Sequence, residues 1–247
     1  MHLLAGASGY SYKPWKGPFY PKDLPDADML GFYAERLPAV EINNTFYRLP
    51  KAAVLEVWAA QTPAGFRFVL KASRKITHIH RLKDVGEMTG YLFETAGTLG
   101  PKLGAILFQL PPYLKKDLDR LRRFCDALPQ ACAVAFEFRE PSWLEDDVLE
   151  VLREHDAALC VADTEGGPAA DRLPLMATAS WGYLRLRRDH YDDDDLVRWL
   201  ARIRAQPWSQ AYVFFKHEDE GAAPRLGRRL MELAGAREPA SRPASAR

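Results

Sequence analysis

The sequence predicts a (β/α)8 barrel, an α/β fold of TIM type, as a single domain over residues 1–236 followed by a disordered tail over 237–247. Three observations predict it. Eight short apolar runs, each closed by a polar or charged residue, occur at 3–10, 39–46, 66–73, 104–112, 133–140, 158–165, 182–188 and 211–218. The intervals between them are long enough for helices, and strands alternating with helices signal a parallel barrel. The length of 247 residues is close to what one such barrel needs.

Within the runs, residue parity supports a closed barrel. In 133–140, Val134, Phe136 and Phe138 share one face, and Ala133, Ala135, Glu137 and Arg139 share the other. Large residues would meet the outer helices, while small and polar ones would line the narrow interior. The same alternation sets Val40 and Ile42 against Glu41 and Asn43, Phe68 and Leu70 against Lys71, and Leu184 and Leu186 against Arg185 and Arg187. Continuing this phase places Gln109, Asp163 and Lys216 inward, with Ser8 chosen from the first run. Four helices are readable from apolar spacing, at 117–128, 144–153, 192–204 and 221–233. The third opens on four aspartates, which suit the positive end of a helix dipole. The tail, small, polar and Pro-containing, reads as disordered.

Composition narrows the function classes. A net charge of +1 gives no global attraction to nucleic acid or membrane. No run of 18 apolar residues suggests a membrane span, and the opening apolar stretch is too short for a signal peptide. Cys125, Cys132 and Cys160 have no metal-like spacing and read as reduced thiols, so a cytoplasmic protein is expected. Phosphate-loop, dinucleotide and nucleophile-elbow motifs are absent.

The inward positions form a ring of Ser8, Glu41, Asn43, Lys71, Gln109, Glu137, Arg139, Asp163, Arg185 and Lys216, joined by Arg187. Barrel interiors ordinarily hold branched apolar residues, so a charged ring reads either as a salt-bridge plug or as a site. Aromatic residues follow the strand ends. Tyr10, Tyr47 and Trp143 are placed near the ring as ligand contacts, whereas Trp15 and Tyr20 read as packing within their own loop. The stretch after the third run carries Arg74, Lys75, His78, His80, Arg81 and Lys83, a basic segment suited to phosphate. The His78 and His80 spacing admits a metal, but no second histidine pair accompanies it; no cofactor is expected.

With these residues in hand the chain resembles the YecE-like family, classified as domain of unknown function 72. The stretches GASGYSYKPWKGPFYP, VEINNTFYRLP, FVLKASRKITH, LGAILFQLPP, EFREPSW and YLRLR carry the resemblance, in that order. It implies a TIM barrel and no established reaction. Shared positions include Glu41, Asn43, Phe46, Tyr47, Lys71, Thr77, His78, Gln109, Glu137, Arg139, Trp143, Asp163 and Arg185. Members often read RLHG after strand seven and FNN at the end of strand eight. Here Arg187 and Arg188 follow Leu186, and Lys216 and His217 follow Phe215, so this chain is the more basic variant.

The favoured reading is an enzyme doing acid–base or hydrolytic chemistry on a small anionic, phosphate-bearing ligand. Glu41 and Glu137 would be general acid and base, Asp163 an orienting partner, and Lys71 an alternative nucleophile. Tyr10, Asn43, Tyr47, His78, Gln109, Arg139, Trp143, Arg185 and Lys216 would bind substrate. The alternatives are a glycoside hydrolase using paired carboxylates, and a non-catalytic nucleotide or nucleic-acid binding module. Nothing in the sequence assigns an oligomeric state.

Overall fold

The computed structural model describes residues 1–129, 132–165, 175–216 and 220–235. Its eight parallel strands close a barrel in sequence order: β1 (His2–Ser8), β2 (Ala39–Ile42), β3 (Arg67–Lys71), β4 (Leu103–Gln109), β5 (Val134–Glu137), β6 (Ala158–Thr164), β7 (Trp181–Arg187) and β8 (Gln210–Phe215). β8 returns to pair with β1 from His2↔Gln210 to Ala7↔Phe215, which leaves no sheet edge. The expected fold is therefore the one observed.

Among the described residues, seven α-helices flank the strands: α1 (Met29–Ala34), α2 (Ala52–Ala60), α3 (Gly86–Gly97), α4 (Leu118–Asp126), α5 (Asp146–Glu154), α6 (Asp193–Arg204) and α7 (Ala222–Gly235). The last four are those read from apolar spacing. Asp117 caps α4 by accepting from the Arg120 amide, and Asp192 and Asp195 form a reciprocal capping box on α6. The aspartates that open α6 thus cap a helix. No described helix lies between β6 and β7; residues 166–174 between them, His217 and the tail expected over 237–247 lie outside the described residues. No described helix is long and apolar enough to cross a membrane.

Two apolar layers surround the strands. The outer one packs Val40, Phe68, Phe108, Phe136 and Leu184 against the helices. The inner one fills the lower barrel: Ala39, Ala105, Ala135 and Ala158 come from β2, β4, β5 and β6, and Trp181, Tyr183, Tyr212 and Phe214 from β7 and β8. Small side chains on one wall leave the volume that aromatic rings on the other occupy. Gly104 extends this matching, since a Cβ there would stand 2.6 Å from the Tyr212 hydroxyl. On this apolar floor the charged upper layer rests.

Candidate functional site

Arg185 is the centre of the upper layer. Its side chain is 1% exposed and comes off β7 one step above Tyr183. Nη2 donates to Glu41 Oε1 at 2.7 Å, and Nη1 to Glu137 Oε2 at 2.6 Å. Other donors complete both carboxylates. Glu41 Oε1 also accepts from Ser8 Oγ at 2.7 Å and Asn43 Nδ2 at 3.1 Å, while Oε2 accepts from the Tyr183 hydroxyl at 2.6 Å. Glu137 Oε1 accepts from Gln109 Nε2 at 2.7 Å and Arg139 Nε at 3.1 Å, and Arg187 Nη2 lies 3.6 Å from Oε2. One guanidinium therefore bridges two buried acids drawn from β2 and β5, a geometry that arginine's planar fork suits.

Burial pushes the Glu137 carboxyl up, but the Arg185 and Arg139 charges and the hydrogen bonds from Gln109 and Arg139 outweigh it and hold the group below the usual carboxylate range. Burial alone would lower the Arg185 pKa; Glu41 and Glu137 reverse that and raise it. The Tyr183 phenol is pushed well up by burial and the Glu41 charge, so it serves as a donor. The centre is thus one guanidinium bridging two buried carboxylates.

The side of the ring on β3 differs. Lys71 Nζ donates to Gln109 Oε1 at 2.8 Å and stands 4.2 Å from the Phe46 ring centroid. No carboxylate among the described residues is within ion-pair distance of it. Burial, then the Arg185 charge, lowers its pKa to about 8, against smaller opposing effects of Glu137 and Glu41. His78 follows in a π-helical turn, Lys75–Ile79, and packs edge-on to Phe46 at 4.9 Å. The Thr77 hydroxyl donates to the Ser73 carbonyl and lies 2.9 Å from His78 Nδ1. The tautomer of the ring sets which of Thr77 Oγ1 and His78 Nδ1 donates in that contact, and Nε2 points away from it. Burial and the charges of Lys71, Arg139 and Arg74 lower the His78 pKa.

Small cavities flank the ring. One of about 180 Å³ is lined by Tyr10, Asn43 and Trp58. Another of about 260 Å³ is lined by Tyr47, Ser73, Lys75 and Tyr91. Tyr10 also packs edge-on to Trp58, and Tyr47 stands exposed on the rim. Arg139 is exposed beyond the end of β5, and Lys216 is exposed beyond the end of β8. The structure therefore brings Ser8, Glu41, Asn43, Lys71, Gln109, Glu137, Arg139, Arg185 and Arg187 to one end of the barrel.

Two predicted positions are corrected. Asp163 does not join the ring. Ala158 and Cys160 face the interior of β6 while Leu159 and Val161 face the helices, and Asp163 shares the phase of the latter pair. There it is fully buried, accepting from Arg188 Nε at 2.7 Å and from the Tyr191 hydroxyl at 2.9 Å, which ties the end of β6 to the segment after β7. Trp143 is not a mouth residue either. The 3-10 turn Pro141–Leu144 folds it down until it is 0% exposed, stacked on Phe138 with Nε1 donating to the Leu114 carbonyl at 2.6 Å. Trp15 and Tyr20 are buried packing residues, as read. Tyr183 is the ring member that the sequence reading did not single out, although its inward parity on β7 was visible. Among the described residues, no group of three or more His, Cys, Asp or Glu side chains is placed to hold a metal ion.

Comparison with known proteins places this geometry among relatives. A family model described as "Protein of unknown function DUF72" matches residues 4–247. The UPF0759 protein YunF of Bacillus subtilis is 30% identical over 252 residues, covering 87% of this chain and 89% of the relative. The UPF0759 protein YecE of Escherichia coli K12 is 32% identical over 226 residues, covering 81% and 83%. Among solved structures, a DUF72 family protein (TM1631) from Thermotoga maritima superposes with a TM-score of 0.83 at 23% identity, covering 95% of this chain and 99% of that one. A second, EF0366 from Enterococcus faecalis, gives a TM-score of 0.74 at 18% identity, covering 96% and 98%. At these identities the two structures speak for the fold.

Proposed function

The chain belongs to the DUF72 family, whose function its description leaves unknown, and from the geometry of its own barrel mouth we propose an enzyme that binds a small anion there and performs acid–base chemistry on it. The observation that carries the reading is the surplus of cations. Lys71, Arg139, Arg185 and Arg187 surround two carboxylates, Glu41 and Glu137, and Lys71 has no acidic partner among the described residues. An uncompensated positive field in a half-buried mouth favours an anionic ligand, a phosphate ester or a carboxylate. Arg139 and Arg187 would hold its charge, and Asn43, Tyr10 and Tyr47 would border it.

Proton transfer in this reading falls to Lys71 and His78. Lys71 titrates near pH 8, close enough to neutrality to exist in both forms, and His78 presents a free Nε2. Glu41 and Glu137 are positioning residues that hold Arg185, because each carboxylate already accepts from several donors. The same fact weighs against a paired-carboxylate glycosidase, in which the two acids must act separately. The three free cysteines support a cytoplasmic setting.

The test is calorimetric titration of the full chain with inorganic phosphate and a panel of phosphate monoesters. Saturable binding is expected, weakened about tenfold in Lys71→Met and in Arg139→Gln, with ester turnover lost in Lys71→Met. Absence of binding at millimolar ligand, or wild-type affinity in both variants, would overturn the reading.

A further inference from the structure

A cavity of about 650 Å³ lies outside the barrel between the start of α3 and the face of α4. It exists because Gly86 and Gly90 put no side chain there; a Cβ at either would meet nothing within 4 Å. Its floor is apolar, with buried Val85, Phe124 and Leu128. One end is polar. The amides of Gly86, Glu87 and Met88 open α3, Val85 at the cap supplies no side-chain acceptor, and none of the three donates to a group among the described residues. These amides and the helix dipole favour an anion.

A second observation points the same way. Thr89, on the next position of α3, lines the cavity and is 5% exposed, yet its Oγ1 has no hydrogen-bond partner. A buried hydroxyl left unpaired is costly, and a turn of the Thr89 side chain toward the cavity would let an acceptor on a ligand remove that cost. Lys83 and Arg123 line the same cavity, and neither has a carboxylate partner among the described residues, whereas Arg120 is taken by Asp117 at 2.9 Å. The acids nearby are Asp84, Glu87 in the first turn of α3, and Asp117, the last committed to capping α4. The loop carrying Lys83 follows an unusual path: Arg81, Leu82 and Asp84 all have positive φ, at 52°, 67° and 52°, the kind of backbone that accompanies ligand clamps.

We propose that this groove is a second ligand site, separate from the mouth, for an organic anion on an apolar body: a phosphate or carboxylate head at the start of α3 beside Thr89, Lys83 and Arg123, with an alkyl or aryl body along Phe124 and Leu128. The volume matches that of small-molecule sites. Calorimetric titration of the full chain with dodecyl phosphate, kept below micelle formation, tests it against inorganic phosphate. Dodecyl phosphate is expected to bind about tenfold more tightly than inorganic phosphate at this site. Gly90→Leu fills the groove and improves helix propensity, and is expected to weaken dodecyl phosphate binding about tenfold or more. Thr89→Val and Arg123→Gln should each weaken it about threefold. A circular dichroism melt checks that Gly90→Leu folds; if it does not, the Thr89 and Arg123 variants decide. Wild-type affinity in those variants, or equal affinity for inorganic and dodecyl phosphate, would overturn the proposal. Co-sedimentation with phosphatidic acid vesicles tells the source of the head group: retention that Gly90→Leu abolishes supports a lipid, and no retention alongside binding of the free monoester supports a soluble ligand.

Discussion

The two sides of the barrel mouth contrast in how their charges are settled. Around β2, β5 and β7, Glu41, Glu137 and Arg185 pair with one another and are shut away from water, with Arg185 Nε the donor left over. Around β3 and the turn that follows it, Lys71 has only an amide oxygen and a ring face for company, and His78 keeps one nitrogen open. Both sides present ionisable groups at strand ends, and on the second burial brings the Lys71 pKa down to about 8. Clustering of charge therefore does not by itself mark a reactive centre. What separates scaffold from reactive group is whether a side chain's hydrogen-bonding capacity is already spent.

The strongest way to break this contrast is Arg185→Met. It leaves two buried carboxylates without their shared cation, which should cost about 3–5 kcal/mol and lower the melting temperature by roughly 10 °C, measured by circular dichroism. A variant as stable as wild type would mean the closed side is not closed.

Glu137→Gln should cost somewhat less, about 3 kcal/mol, and should also change acid unfolding. Because Glu137 is held below the usual carboxylate range, its contribution is present above its unfolded pKa and is lost as pH falls through the lower, folded value. The variant should lose stability at pH 7 and show a shallower acid limb. Unchanged stability at pH 7 would return Glu137 to the list of reactive groups.

Lys71→Met sharpens the contrast from the other side and has the smallest effect on stability. The folded pKa of about 8 lies below the ordinary 10.5, so between those values the unfolded chain binds more protons and wild-type stability rises with pH. The difference in melting temperature between wild type and the variant should therefore rise with pH from 7 to 10.5. Equal slopes would mean that Lys71 is ordinary and solvated.

Most of the architecture was legible because a barrel imposes a rule simple enough to read: small and polar residues inward, large residues outward. That rule holds on β2 and β5 and at the charged upper positions of β3, β4 and β7, whereas Leu107, Trp181 and Tyr183 are large residues that face inward. On β6 the phase continued from the other strands puts Asp163 inward, and the structure does not follow it. Ala158, Cys160 and Ala162 are the small residues of that run, and counting from them puts Asp163 outward, where it lies. Trp143 misled for a different reason: following a strand in sequence does not fix direction when a Pro-led turn redirects the chain. The unread helices also lack the expected signal. α1 has six residues, α2 is apolar nearly all round, and α3 carries three glycines. The satisfaction of Glu41 and Glu137 could not be read from the sequence, because it depends on partners spread over five strands.

That spread bears on how the chain reaches its final state. Glu41 and Arg185 are 144 positions apart, and Glu137 and Arg185 are 48 apart. During synthesis both acids emerge well before the guanidinium that neutralises them. Until β7 arrives, Arg139, an exposed residue, is the only member of the network's arginines available to either acid. An intermediate made of the first six strands would have to bury two carboxylates short of countercharge, an arrangement that resists early collapse. Arg185 then acts as a latch added late, tying completion of the cylinder to nearly the whole chain being present and making partial assemblies poor competitors for the finished barrel.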